Sequence, residues 1–233
     1  DDENDVRLID VCLVSHEQVP VAFAYDLGQL MVFTAAHLPD GVHLGLNLVS
    51  GTYVHQARQQ MLAAMRERKS TWILWLDTDM RFPRDILIRM IQHRQPVVGI
   101  NYAKRQVPTE YVALKTVGFG GAGSRLVTDD DSTGLEDVEA VGFGALLIRG
   151  DVLQALPPLS EHPWFEMRWN PDSQEFMGED VAFCQLLREL GYRILVDHDI
   201  SKECAHIGQF EYRLEHVDHD AVAEAVEAKV GAA

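Results

Sequence analysis

One short segment of this sequence, residues 72–76, is apolar at every position and is followed at once by polar residues. Its five side chains are Trp, Ile, Leu, Trp and Leu, and the next three residues are Asp77, Thr78 and Asp79. A strand that is apolar on both faces has to be covered on both faces, which is typical of a parallel sheet between two layers of helices. The segment therefore predicts a central strand of an α/β protein.

Strand and helix patterns alternate along the first hundred residues. Strands are predicted at residues 8–14, 43–49, 72–76 and 96–102, and helices at residues 19–38, 52–68 and 83–93. This alternation is typical of a mostly parallel sheet with helices on both faces. We therefore predict a Rossmann-like α/β fold for this half.

The second half, residues 106–210, has a different pattern. It predicts antiparallel strands at residues 111–117 and 124–128, a strand within residues 139–149, a helix at residues 180–190 and a strand at residues 193–196. Residues 211–230 predict an amphipathic tail helix. We find no internal repeat and no low-complexity linker, so we predict one domain over residues 1–233, with a small antiparallel sheet beside the central one.

The composition makes two classes of main partner less favourable. The 233 residues carry 20 basic and 36 acidic side chains, a formal net charge of −16. Such a charge argues against nucleic acid or an anionic membrane as the main partner, since either attracts a basic face. No apolar stretch approaches the length of a membrane span, and no signal-peptide pattern opens the chain.

The three cysteines, Cys12, Cys184 and Cys204, match neither a disulfide framework nor the spacing of zinc ligands. This favours a reducing compartment, and we expect a cytoplasmic protein.

Asp77 and Asp79 end the apolar run at residues 72–76. Side chains two residues apart in a strand point the same way, so extended geometry would aim both carboxylates at one point beyond the sheet. Two carboxylates there favour a hard divalent cation that substrate phosphates also hold. The alternative is that Asp77 caps the following helix and Asp79 is solvated in a turn.

Gly178-Glu179-Asp180 opens the predicted helix at residues 180–190. One acidic residue here is explained by the unpaired N–H groups and the macrodipole of the helix start. The other would be free to act as a general base toward an acceptor hydroxyl.

His206 follows the last predicted strand in the sequence Cys204-Ala205-His206-Ile207-Gly208. A neutral imidazole can complete a Mn²⁺ or Mg²⁺ site that also contains carboxylate and phosphate, although a lone histidine is often structural. His198, His216 and His219 compete for this role.

Two other features have more than one interpretation. Residues 118–123 match G-x-G-x-x-G, but a strand pattern follows where a dinucleotide site needs a helix, so we reject that interpretation. Trp164 and Trp169 lie in the irregular segment at residues 157–174 and suit either stacking on a sugar or anchoring of the segment to the core.

Several motifs together resemble one family, the nucleotide-sugar glycosyltransferases with the A-type (GT-A) fold, especially its family-2-like members. The matching stretches are Ile73 to Phe82 with its Asp-Thr-Asp, Gln56-Ala57-Arg58, residues 97–102, residues 141–149, Gly178-Glu179-Asp180 with Gly191-Tyr192, and His206-Ile207-Gly208. The resemblance covers residues 8–210. It departs from the family at Gln59, where an asparagine is common.

The resemblance implies a nucleoside-diphosphate sugar as donor and Mn²⁺, or Mg²⁺, as cofactor. Asp79 would hold the metal, Asp77 would contact the metal or the donor, and His206 would be a third protein ligand. Asp180 would be the general base if the reaction inverts the sugar configuration, with Glu179 helping to position it, and the sequence leaves inversion or retention open.

The resemblance also places the donor. Ser15 and His16 would lie beside its base or ribose, and Arg58 beside its ribose or phosphate. Thr78 would contact it together with Asp77. Residues 6–105 would then form the donor-binding half and residues 106–210 the acceptor half, with the tail helix at residues 211–233.

We therefore expect a metal-dependent glycosyltransferase whose hydroxyl acceptor is a glycan, a protein, a small molecule or a modified nucleic acid. The alternative is a nucleotide-sugar or glycan-binding module of the same fold that has lost catalysis. A nucleotidyltransferase is disfavoured, because Ser15-His16-Glu17-Gln18 replaces the glycine-rich basic loop that it needs. The sequence does not determine the oligomeric state.

Overall fold

A seven-stranded sheet runs through the centre of the computed structural model, which describes residues 7–15, 18–51, 53–118, 123–171, 174–208 and 211–217. The strands of this sheet are β1 (Arg7–Ser15), β2 (Val42–Ser50), β3 (Trp72–Asp77), β5 (Val97–Gly99), β6 (Leu135–Val138), β7 (Ala145–Arg149) and β10 (Ile194–Asp197). Their order across the sheet is β2-β1-β3-β7-β5-β10-β6. Only β7 and β6 run antiparallel to their neighbours, so the sheet is mostly parallel, as predicted.

Two small antiparallel sheets accompany the central one. The first contains β4 (Met80–Arg81), β11 (Ala205–Ile207) and β12 (Glu211–Tyr212), and the second is the hairpin of β8 (Arg168–Asn170) and β9 (Glu175–Met177). The first joins residues that are far apart in the sequence, because β11 pairs with both of its other strands.

Helices cover both faces of the central sheet. They are α1 (Val21–His37), α2 (Val54–Glu67), α3 (Ile86–Gln92), α4 (Gly150–Ala155), α5 (Glu179–Glu189) and α6 (His198–Ser201). The side chains of β3 alternate between the two cores: Ile73 and Trp75 pack with α2, α4 and α5, and Leu74 and Leu76 pack with α1 and α3. This two-sided burial is the physical reason for the uniformly apolar run in β3.

β7 comes from the second half of the chain but lies inside the sheet of the first half. It pairs antiparallel with β3 on one side and with β5 on the other, and Ala145, Leu146, Leu147 and Ile148 are buried. Residues 6–105 and 106–210 therefore share one sheet.

The chain departs from the prediction in several places. Residues 111–117 and 124–128 form no continuous strands and contact one another through isolated bridges such as Leu114 to Arg125. The edge strand β6 was missed, since its Leu-Glu-Asp-Val sequence carries two acidic residues and lacks a regular apolar pattern. Residues 211–217 form β12 and a 3₁₀ turn at Leu214–His216, not the start of the expected tail helix, and residues 218–233 lie outside the described residues.

Across the described segments, no helix combines the length and the apolarity that crossing a lipid bilayer requires.

Candidate functional site

The predicted site residues gather at the carboxyl end of β3. β3 ends at Asp77, a turn of Thr78 and Asp79 follows, and β4 then pairs with β11 so that Met80 lies opposite His206. The backbone N–H of Ile207 donates to the carbonyl oxygen of Asp79 at 2.7 Å. The pairing of two very short strands therefore brings His206 beside Asp79.

Asp79 has two basic neighbours. Its Oδ2 lies 3.0 Å from Nη1 of Arg105 and 3.4 Å from Nε2 of His206. Partial burial opposes ionisation of the Asp79 carboxyl, but the hydrogen bond and charge of His206, with the charge of Arg105, lower its pKa below the ordinary value. Asp79 is thus ionised and is held at the rim of the sheet.

The ring of His206 is fixed from two directions. Its Nδ1 lies 3.1 Å from the carbonyl oxygen of Ala103, and its edge faces the ring of Tyr102 at 5.4 Å between centroids. A carbonyl oxygen only accepts hydrogen bonds, so Nδ1 donates its N–H to Ala103, and Nε2 is the nitrogen that faces the Asp79 carboxylate and can donate to it in the protein without metal. A histidine that donates one ring N–H to a backbone carbonyl presents the other nitrogen in the way metal-binding histidines do.

Arg58 binds two other predicted site residues. It lies on the second turn of α2, its Nη2 donates to Oδ1 of Asp77 at 2.8 Å, and its Nη1 donates to Oε1 of Glu179 at 2.9 Å. Its guanidinium carbon stands 4.3 Å above the ring centroid of Phe143. Burial lowers the pKa of Arg58, but Asp77, Glu179 and Asp180 outweigh that effect and raise it above the usual value.

Asp180 has no basic partner of its own among the described contacts. Its Oδ1 accepts a hydrogen bond of 2.8 Å from the N–H of Val181. Burial and the negative charge of Glu179 raise the pKa of Asp180, and the charge of Arg58 only partly offsets them. A carboxylate with raised proton affinity is suited to accept a proton.

The residues predicted to bind metal are divided between two pairs. Asp79 and His206 face each other, whereas Asp77 is bonded to Arg58, and the described residues contain no group of three or more His, Cys, Asp or Glu side chains arranged around a metal position. A carboxylate and an imidazole are still a donor pair that fits Mn²⁺, whose remaining positions water and phosphate oxygens can fill. The site therefore fits a metal that a bound diphosphate helps to hold.

The predicted donor contacts lie beside this cluster. Ser15 ends β1, next to β3 in the sheet, and its buried hydroxyl has no hydrogen-bond partner among the described residues. Such an unpaired buried hydroxyl suits a ligand group. Thr78 is partly exposed in the turn after β3, and His16 lies outside the described residues.

Sequence reasoning assigned no role in the site to Arg105, Tyr102 or Phe143. Arg105 could have been found as a basic residue shortly after the strand at residues 97–99. Tyr102 explains Gly142 and Gly144, because a Cβ at these positions would lie 2.3 Å from its hydroxyl oxygen and 2.6 Å from its ring. These glycines make room for an internal aromatic ring.

Trp164 and Trp169, for which the sequence favoured neither sugar stacking nor anchoring, have different environments. Trp164 is 2% exposed, and its backbone N–H donates to Oε1 of Gln59 at 2.9 Å, so it anchors its segment to α2. Trp169 is 52% exposed on β8 and lies opposite Phe176 of β9, with ring centroids 4.8 Å apart. β9 leads directly into α5, which carries Asp180.

Clefts also lie elsewhere on the molecule. Two of about 390 and 490 Å³ share Lys69 and Gln154 at the opposite end of β3. They lack the crowded carboxylates, so the chemistry of the side chains, not the size of a cleft, marks the candidate site.

Comparison with solved structures identifies the fold. Protein A197 from STIV superposes with a TM-score of 0.54 at 15% sequence identity, covering 87% of this chain and 86% of that one. The two chains share a fold. At this identity the likeness to A197 establishes nothing about activity.

Other solved structures are more distant. S. aureus TarS 1–349 has a TM-score of 0.41 at 13% identity, covering 95% of this chain and 65% of that one. A glycosyltransferase involved in the glycosylation of the major capsid of PBCV-1 has a TM-score of 0.31 at 11% identity, covering 63% and 62%. Neither likeness is close enough to support a shared function. No protein-family model and no curated protein matches the sequence.

Proposed function

We propose that this protein is a metal-dependent glycosyltransferase that moves a sugar from a nucleoside-diphosphate sugar to a hydroxyl acceptor. One observation supports this most directly: β3, β11, α2 and α5 bring Asp79 with His206, Asp77 with Arg58, and the proton-accepting Asp180 to the same end of the central sheet. In open α/β sheets this end is where ligands bind.

The donor half of the site would hold a diphosphate. Asp79 and His206 would hold a metal, which would supply positive charge to stabilise the leaving diphosphate. Arg105 lies next to Asp79 and can turn its guanidinium to a phosphate oxygen. These cations are needed because a chain of net charge −16 otherwise repels an anionic donor.

The acceptor half would act through Asp180. The oxygen of the acceptor hydroxyl bonds to the anomeric carbon of the sugar, the bond from that carbon to the diphosphate oxygen breaks, and the hydroxyl proton passes to the Asp180 carboxylate. Glu179 is bonded to Arg58, which fixes the start of α5 and therefore the position of Asp180. The exposed pair Trp169 and Phe176 provides an aromatic surface for an acceptor close to this base.

One observation favours the alternative, a module that binds a nucleotide sugar without transferring it. Asp77 is already paired with Arg58, and the described residues form no complete metal-ligand group. Such a module would bind donor and leave it intact.

A panel of nucleoside-diphosphate sugars, each with and without Mn²⁺, tests the proposal by thermal shift. We expect one donor to raise the unfolding temperature only when metal is present, and the same mixture to release nucleoside diphosphate. Asp180→Asn should keep the shift and lose the release, whereas Asp40→Asn, in the exposed turn before β2, should keep both. A metal-dependent shift without release in the wild-type protein would support the binding module, and no shift with any donor would refute both.

A further inference from the structure

Residues 18–51 carry almost no charge, in contrast to the rest of the chain. They contain no lysine or arginine, and Asp26 and Asp40 are their only acidic residues, although 24% of the whole chain is charged. Asp26 is buried and bonded to Arg81, so only Asp40 adds an exposed charge. In a chain of this composition, an exposed surface without charge is typical of a surface that another molecule covers.

β2 forms an open edge of the central sheet. It is nine residues long, and within the described part of the chain its only strand neighbour is β1. Proteins usually protect such an edge with charged side chains, proline, a bulge or a short strand, because its free N–H and C=O groups accept another strand. The sequence of β2, Val-His-Leu-Gly-Leu-Asn-Leu-Val-Ser, contains no proline, lysine, arginine or acidic residue.

Two leucines of this strand are open to solvent. Leu46 is 48% exposed and Leu48 is 60% exposed. They alternate with Val42 and Leu44, which pack into the core on the α1 side, so all four lie on the face of the sheet that carries α1. α1 thus covers this face of β2 at Val42 and Leu44 and leaves it uncovered at Leu46 and Leu48.

The outer surface of α1 is also apolar or uncharged. Its exposed residues before His37 are Val21, Ala24, Tyr25, Gly28, Gln29, Val32, Ala35 and Ala36. A helix that is apolar on both sides is typical of a helix buried on both sides. Gly28 costs helix stability, yet a Cβ there would meet no atom within 4 Å, so the fold of this chain does not require it.

We propose that β2 and α1 form the interface of a homodimer, in which β2 pairs antiparallel with β2 of a second copy. A twofold axis perpendicular to the sheet would place both α1 helices on the same face, one on each side of the junction. Leu46 and Leu48 of both copies would then be covered between the two helices. The partner is a second copy because this edge is self-complementary, and because two chains of net charge −16 approach most favourably through a neutral surface.

Other occupants of this surface are less suited. An anionic membrane is repelled by the chain as a whole.

Light scattering on the full chain after size-exclusion chromatography tests the proposal. We expect a mass of twice 26.2 kDa for the wild-type protein at about 10 µM, and 26.2 kDa for Leu48→Lys, which places a charge in the interface. The matched control is Leu159→Lys, at a leucine that is 43% exposed elsewhere, and it should remain dimeric. A wild-type mass of 26.2 kDa up to about 100 µM, or a Leu48→Lys variant that is folded by circular dichroism and still dimeric, would refute the interface.

Disulfide crosslinking gives a second test that does not rely on a disruptive variant. Leu46 is the central residue of β2, so full antiparallel overlap places it beside Leu46 of the second copy. Leu46→Cys should form a covalent dimer on mild oxidation, while Leu159→Cys should not, and the buried native Cys12, Cys184 and Cys204 give little background. A Leu46→Cys protein that crosslinks no faster than Leu159→Cys would contradict the pairing, and vesicle binding by such a monomer would identify a lipid surface instead.

Discussion

Two acidic sites in this molecule, a single buried aspartate and a cluster of four carboxylates, differ in how completely the protein supplies partners for their charges. Asp10 of β1 is fully buried: its oxygens accept hydrogen bonds from Asn47 at 2.8 Å and Ser70 at 2.6 Å, and Arg68 lies 3.5 Å away. Gly45 is required there, since a Cβ would lie 2.2 Å from Oδ1 of Asp10. This carboxylate has internal partners on both oxygens and supports the fold.

The cluster at the carboxyl end of β3 has more negative charge than the protein itself neutralises. Asp77, Asp79, Glu179 and Asp180 share Arg58, Arg105 and a histidine, and burial with neighbouring charge raises the pKa of Asp180. A chain that keeps such unbalanced charge sacrifices stability at that place for a ligand or a reaction. The comparison therefore separates Asp10, whose partners all lie within the protein, from the candidate site, whose excess negative charge supports the proposed function.

The largest expected effect is on the catalytic rate, which should fall in Asp180→Asn and not in Asp10→Asn. Asp180→Asn removes the proton acceptor while keeping the shape of the side chain, so release of nucleoside diphosphate from the donor should fall by about 10²- to 10⁴-fold. Because the pKa of Asp180 is raised, activity of the wild-type protein should be lost as the pH falls through a range above that of an ordinary aspartate. Asp10→Asn should leave the rate per folded molecule unchanged, and a comparable loss in both variants would remove the distinction.

The next effect concerns the metal. Asp79→Asn removes the charged partner of His206, so the rise in unfolding temperature that donor and Mn²⁺ produce together should disappear. At about 100 times the dissociation constant that rise corresponds to about 2.7 kcal/mol, or about 5–10 °C for a domain of this size. Asp40→Asn serves as the control, and a full shift in Asp79→Asn would show that the metal is held elsewhere.

Replacing Asp10 by asparagine should lower the free energy of unfolding. In Asp10→Asn, one amide oxygen replaces two carboxylate oxygens that accept from Asn47 and Ser70, and the interaction with Arg68 is lost. We expect a loss of about 2 kcal/mol in the free energy of unfolding, or about 4–8 °C, in chemical or thermal unfolding. An unchanged stability would mean that the hydrogen bonds from Asn47 and Ser70 to Asp10 do not support the fold.

In the candidate site, Asp180→Asn should instead raise the free energy of unfolding. The pKa of Asp180 is higher in the folded chain, so its protonated form supports folding, and this stability is lost as the pH rises through the folded-state pKa. At neutral pH the neutral asparagine should therefore stabilise the protein by about 1 kcal/mol. Unfolding measured between pH 4 and pH 8 should show a gain that vanishes at the acidic end, and a loss at neutral pH would contradict the assignment.

The smallest effect tests the exposed aromatic pair. Trp169→Ala should raise the KM for simple methyl glycosides as acceptors by about 2- to 10-fold, since stacking on an aromatic ring contributes about 0.5–1.5 kcal/mol. The KM for the donor should not change. Leu159→Ala, at an exposed apolar side chain near the opposite end of β3, is the control, and equal effects in both variants would exclude a specific acceptor surface.

The elements of the first half could be predicted because each has a local pattern. The apolar run of β3, the helical spacing in α2 and the proline before α1 act through contacts within a few residues. β7 was expected as a strand of the acceptor side, but its position between β3 and β5 depends on which buried neighbours are free to pair, which no local pattern encodes. The polar edge strand β6 and the two-residue β4 carry too few apolar residues to be recognised.

The candidate site was predicted in part for the same reason. Asp77-Thr78-Asp79 at the end of an apolar strand and Glu179-Asp180 at a helix start can be recognised from the sequence, because strand ends and helix starts direct side chains in known ways. The contact of Arg105 with Asp79 and the packing of Tyr102 against Gly142 and Gly144 join segments with no common local signal.

By itself, the sequence determined the α/β class, the covered strand at residues 72–77 and the acidic residues at its end, since periodicity and residue type act over short distances along the chain. Only the tertiary structure decided that Arg58 joins Asp77 to Glu179, that β4 and β11 bring His206 to Asp79, and that the neutral edge at β2 remains open. These outcomes depend on strand order and register between distant segments, and the energies that fix them come from burial and charge in the folded molecule as a whole.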